Sequence, residues 1–127
     1  MAKLADIALT NSLALSQTFS VVKQIGPDSQ LRNSDSSIPV ASRESISLNF
    51  RPEKSGAPMK ATVRVISPPT AAEIATGEET GDVTIFINVV RTGKASVERV
   101  QHTVAYAKEI LANAIVVDMI ENAAQPY

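Results

Sequence analysis

The chain has 127 residues, 44% of them hydrophobic and 20% charged, with a formal net charge of -1. That profile fits one globular domain spanning residues 1–127 and excludes both a disordered chain and a polycation that binds anions by bulk charge. With no cysteine there is neither a disulfide framework nor a thiolate zinc site, and no apolar run approaches the ~20 residues that cross a bilayer.

The N-terminal residues carry no signal-peptide stretch, and no Asn-x-Ser/Thr acceptor occurs, so synthesis in a cytoplasm and no membrane partner are expected. Ile7 and Leu9 before Asn11-Ser12, then Phe19 and Val21 before Gly26-Pro27-Asp28, predict an N-terminal hairpin. Leu4, Ile7 and Ala8 also fit a helical start from Lys3 to Leu9. Asn33-Ser34-Asp35-Ser36-Ser37, with Pro39 beyond, reads as a loop.

Three runs then alternate with period two: Ser45–Arg51, Lys60–Val65 and Asp82–Val89. Side chains alternate across a strand, so Ile46, Leu48, Phe50, Ala61, Val63, Val65, Val83, Ile85, Ile87 and Val89 share one face. The other face collects Ser47, Asn49, Arg51, Lys60, Thr62, Arg64, Thr84, Phe86 and Asn88. Those nine positions hold three cations and no acid, with Asp82 at the edge. Charge is segregated along the chain as well. Arg43, Arg51, Lys54, Lys60 and Arg64 face only Glu44 and Glu53 between residues 43 and 64, whereas Glu73, Glu78, Glu79 and Asp82 follow with no base among them.

Pro52–Pro58 is a hairpin turn, its prolines at strand ends where a missing N–H does least harm. Ser67-Pro68-Pro69 through Gly77 to Gly81 is a long acidic loop, either a solvated connection or a functional one. After Arg91-Thr92-Gly93 the period changes. Val97, Val100, Val104, Ala107 and Leu111 are spaced for an amphipathic helix from about Ala95 to Ala112, with Ser96 or Thr92 as its cap and Asn113 as its stop. Val116, Met119, Ile120 and Ala123 predict a second, short helix ending near Asn122. Strands first and helices last give an α+β fold: about five antiparallel strands, an N-terminal β-hairpin among them, with two C-terminal helices against one face.

Catalytic chemistry finds few parts. His102 is the one histidine, four residues after Glu98 on the same helix, a spacing typical of surface pairs. No Gly-x-Ser-x-Gly elbow and no Gly-Lys-Ser/Thr phosphate loop occurs. The acids of the long loop lack EF-hand spacing. No metal, cofactor or small-molecule substrate is expected. On the polar face, by contrast, Arg51, Lys60 and Arg64 suit phosphates, Ser47, Thr62, Asn49 and Asn88 suit sugars or base edges, and Phe86 suits stacking on an unpaired base. A plain solvent-facing sheet accounts for the same alternation.

In element order the whole chain resembles the coat proteins of the single-stranded RNA bacteriophages, the leviviruses. An N-terminal hairpin precedes an antiparallel sheet, and a long loop from Pro68 to Gly81 precedes its last strand. A long helix, a short helix and the tail Ile120-Glu121-Asn122-Ala123-Ala124-Gln125-Pro126-Tyr127 then close the chain. The resemblance implies a non-enzymatic capsid protein made in the bacterial host cytoplasm and residing in the virion. Its partners would be a second copy of itself, then an icosahedral shell of T=3 form, and viral single-stranded RNA. It implies an intertwined homodimer in which two sheets join and the helices clamp the partner, with Val104, Leu111, Ile115, Val116 and Ile120 at the interface. RNA contacts fall on Ser47, Asn49, Arg51, Lys60, Thr62, Arg64, Thr84, Phe86 and Asn88, with Thr62 lining a pocket for unpaired adenine. Pro69, Gly77 and Gly81 fall in a loop that differs between quasi-equivalent positions. The family also binds a hairpin at the replicase start and represses translation. Here the chain departs, since Phe86 lacks the hydroxyl of the family's stacking tyrosine and Val90 replaces a polar contact. A small soluble dimeric RNA-binding module that forms no particle is the alternative, with an α+β enzyme built on the acidic loop or His102 as a third.

Overall fold

The computed structural model describes residues 4–25, 27–77 and 81–123. Contacts divide the chain into two compact units, Met1–Arg91 and Thr92–Tyr127. The first is a single antiparallel sheet whose strands lie side by side in chain order: β1 (Ile7–Thr10), β2 (Ser16–Ile25), β3 (Asp28–Asn33), β4 (Ser45–Arg51), β5 (Met59–Ser67) and β6 (Val83–Arg91). Ile7–Thr10 is extended, which removes the helical alternative for that stretch. The sheet of about five strands has six, Asp28–Asn33 being paired on both sides with β2 and β4. Its alternation is hard to see in sequence, since Leu31 is its one large apolar residue.

Leu31 is nevertheless fully buried, and with Phe19 and Ile46 it makes the core. Register explains this: Val21, Leu31, Ile46, Val65 and Ile85 form one row across five strands, all pointing to the same face. Burial fades along the row. Leu4, Val21, Leu48, Val63 and Val65 are packed against the core, whereas Ile85, Ile87 and Val89 on β6 are exposed. At the other end of this face Asn33 is buried and well satisfied. Its amide donates to Gln17 Oε1 (3.1 Å) and Glu44 Oε2 (2.9 Å), and its Oδ1 accepts from the Asp35 N–H (3.0 Å). Next to it the Ser37 hydroxyl and N–H both donate to Asp35 Oδ1, holding that carboxyl below its ordinary range against a small opposing effect of burial.

Between β5 and β6 the acidic stretch is not wholly irregular. Thr70-Ala71-Ala72-Glu73 has the Thr-x-x-Glu spacing of a capping box, and Thr70 caps the short helix α1 (Ala71–Ala75). Thr70 Oγ1 accepts from the Glu73 N–H and donates to Glu73 Oε1, each at 3.2 Å. Gly77 ends the turn at φ 73°, a left-handed conformation that glycine adopts without penalty. Glu78, Glu79 and Thr80 lie outside the described residues.

The second unit holds α2 (Val97–Ala112) and α3 (Ala114–Asn122). Ser96 caps α2 by accepting from the Arg99 N–H at 3.2 Å, and Glu98 complements the helix dipole from the first turn. Asn113 both stops α2 and caps α3, its Oδ1 accepting from the Ile115 N–H at 3.0 Å. The tail from Ala124 to Tyr127 lies outside the described residues.

Candidate nucleic-acid interface

Cross-strand register builds the polar face as parallel rows, neighbouring strands in each row lying about 4.8 Å apart. One row reads Lys23, Gln30, Ser47, Arg64, Phe86 from β2 to β6. The next reads Ile25, Asp28, Asn49, Thr62, Asn88, and beyond it Arg51 lies beside Lys60. On the other side runs Ser20, Arg32, Ser45, Ile66, Thr84. All nine sequence-predicted residues therefore share one face, and Arg51, Lys60 and Arg64 share it with each other. Thr84 sits apart from the rest, at the end of a row interrupted by Ile66.

The missed strand changes the electrostatics of this face. β3, with Lys23 on β2, adds Lys23, Gln30 and Arg32, and also an acid, Asp28. The nine expected positions are acid-free, but the assembled surface is not. Lys23, Arg32, Arg51, Lys60 and Arg64 still outnumber Asp28, and none of them lies within salt-bridge distance of an acid among the described residues. Unpaired cations on a flat, wet face keep their charge available for phosphates. The sequence signal for β3 is Gly26-Pro27-Asp28, residue types that favour a turn, after which a returning strand is to be expected.

Lys23, Asp28, Gln30, Ser47, Asn49, Thr62, Arg64 and Phe86 line a shallow trough of about 370 Å³. Within it the Asn49 amide donates to Asp28 Oδ1, and the Thr62 hydroxyl donates to Asn88 Oδ1 at 3.1 Å. The Arg64 guanidinium lies 5.9 Å from the centre of the Phe86 ring, close enough for cation–π attraction, and that ring is 59% exposed. A second depression, about 620 Å³, lies at the β4–β5 end among Phe50, Arg51, Pro52, Lys54, Pro58 and Lys60. It is lined by three cations and no acid. Together the two offer an exposed aromatic face, amide and hydroxyl groups, and cations on rigid strands.

The residues expected at a dimer interface lie on α2 and α3. Val104, Leu111, Ile115 and Ile120 are exposed and Val116 is half-buried. Of the loop residues, Pro69 immediately precedes the Thr70 cap, Gly77 closes the turn after α1, and Gly81 precedes β6. His102 lies 3.4 Å from Glu98 and stacks on Tyr106 with ring centres 6.5 Å apart, both on the exposed surface of α2.

No family model and no curated protein matches the chain. Solved structures do. A virus-like particle of bacteriophage AVE019 matches with a TM-score of 0.83 at 15% identity, over 99% of this chain and 100% of that one. A virus-like particle of Beihai levi-like virus 21 gives 0.83 and 15%, over 99% of each chain. An unassembled bacteriophage coat protein dimer, described as RNA-binding, gives 0.61 and 13%, again over 99% of each. Six meandering strands followed by two terminal helices are the RNA-phage coat-protein fold, and this chain has it.

Proposed function

We propose that the chain is a structural, non-enzymatic coat protein. Homodimers assemble into an icosahedral shell and package single-stranded RNA against the cationic sheet face. One observation carries the reading: in a fold shared with the subunits of virus-like particles and of a coat protein dimer, β6 leaves an unpaired strand edge and an exposed apolar row. β6 is nine residues long and bears no charge before Arg91. A long, flat, uncharged edge of this kind pairs with another chain or aggregates. Pairing two β6 edges would extend the sheet across a two-fold axis and double the cationic face.

The exposed apolar residues of α2 and α3, Val104, Leu111, Ile115 and Ile120, with the half-buried Val116, would then find cover on the partner, each buried methylene contributing about 0.8 kcal/mol. Residues 1–127 thus make one domain that a second copy completes. Ser47, Asn49, Arg51, Lys60, Thr62, Arg64, Thr84, Phe86 and Asn88 contact RNA, joined by Lys23, Gln30 and Arg32. Pro69, Gly77 and Gly81 bound the segment that adapts between quasi-equivalent environments, Gly77 supplying the positive-φ joint. The protein would be made in a bacterial host and reside in the virion.

Expression of the full chain, gel filtration and negative-stain microscopy test the proposal. Uniform particles holding nuclease-protected RNA are the expected result. A stable dimer that never forms particles would replace the coat reading with a soluble RNA-binding module.

A further inference from the structure

We propose that the trough on the sheet face is a base-selective pocket preferring unpaired guanine, in place of the adenine that the family resemblance implies beside Thr62, with the Asp28 carboxylate as the selecting group. This rests on the RNA-binding reading above and deepens it. A carboxylate is an odd neighbour for a polyanion, since it repels every phosphate equally. It is useful where a base edge offers hydrogen-bond donors. Asp28 lies beside Asn49 in register and in the same trough as Arg64 and Phe86. The Asn49 amide holds Asp28 Oδ1, which orients the carboxylate, while Oδ2 has no side-chain donor among the described residues.

An ionised carboxylate only accepts hydrogen bonds, and its two oxygens match two donors set side by side. Guanine presents such a pair, N1–H and the N2 amine. Adenine presents a donor beside an acceptor, its N6 amine beside N1, so one contact would set lone pair against lone pair. Cytosine offers one amine donor. Arg64 supplies N–H donors of the kind that guanine O6 and N7 accept, and Phe86 gives a ring for stacking. The pocket's floor is built on adjacent strands, so its groups are positioned before any ligand arrives.

The test uses purified full-length protein and fluorescein-labelled U-rich decamers whose two central bases are GG, AA, CC or inosine–inosine, followed by anisotropy. The wild-type protein is expected to bind the GG decamer about tenfold or more tighter than AA, since a matched bidentate contact discriminates to that degree. Inosine lacks the N2 amine and should lose most of that advantage, a readout that needs no variant. Asp28→Asn, checked for an unchanged circular dichroism spectrum, should abolish the GG preference while binding AA at least as well as before. Equal wild-type affinity for all four decamers overturns the pocket while leaving RNA binding intact. So does an Asp28→Asn variant that tightens all four alike, which would make the carboxylate a mere repeller of phosphate. Absence of wild-type binding to any decamer at low salt overturns the RNA reading itself, and the pocket with it.

Discussion

At the scale of single residues, what distinguishes the two faces of the sheet is which polar groups are already satisfied. On the apolar side Asn33 spends its amide and its carbonyl on Gln17, Glu44 and Asp35, all within the chain. Asn33→Ala would leave the Glu44 carboxylate and the Gln17 carbonyl without this donor in a part-buried site. It should therefore cost about 1–3 kcal/mol in urea unfolding, the penalty of stranding buried polar groups. On the opposite side Lys60 and Arg64 have no ion-pair partner among the described residues, which leaves their charge available to a polyanion such as the proposed RNA. Lys60→Ala with Arg64→Ala should reduce the log–log salt slope of RNA binding by about 0.7 per lost phosphate contact on single strands. Dimers competent to assemble should remain. An unchanged slope would move the RNA surface elsewhere.

At the scale of elements, local chemistry accounts for where each piece begins and ends, and packing accounts for which pieces persist. α2 starts at Ser96 because its hydroxyl takes an otherwise orphaned N–H, and Ser96→Ala should cost about 1 kcal/mol, read as a drop in the thermal midpoint with no change in RNA affinity. α1 owes its existence to the Thr70–Glu73 reciprocal cap inside an otherwise irregular connection. β3 is the converse case. Asp28–Asn33 has little strand propensity of its own, and it is held by β2 on one side and β4 on the other, around the fully buried Leu31. The acid that this strand brings to the polar face is thus a consequence of pairing rather than of local sequence.

At the scale of the whole molecule, the small core and the large exposed apolar area point the same way. Three buried hydrophobic residues among those described are few for a chain of this length, whereas Ile85, Ile87, Val89, Leu111, Ile115 and Ile120 are exposed. A dimer that supplies the missing cover should unfold with a midpoint that rises with protein concentration, as mass action requires. A concentration-independent midpoint would contradict an obligate dimer. Ile120 is 52% exposed in the single chain, so Ile120→Asp should cost an isolated subunit little, yet prevent soluble dimers from forming. Dimers of this variant that form as readily as the wild type's would remove α3 from the interface.

Local sequence is enough to specify the elements that carry a strong period or a clear break. These are the alternating strands β4, β5 and β6, the 3-4 stripe of α2, the Asn113 break and the short α3. It also determined which residues share a face, because alternation is a property of extended backbone and needs no partner to be read. The assembled sheet settles which elements are neighbours. It recruited Asp28–Asn33 as a strand, placed Leu31 at the centre of the core, set Lys23, Gln30 and Arg32 beside the predicted polar residues, and put Asp28 against Asn49. The physical reason is that strand order and register are long-range choices. They are fixed by which rows of side chains can pack and pair together, and no window of local sequence contains that information.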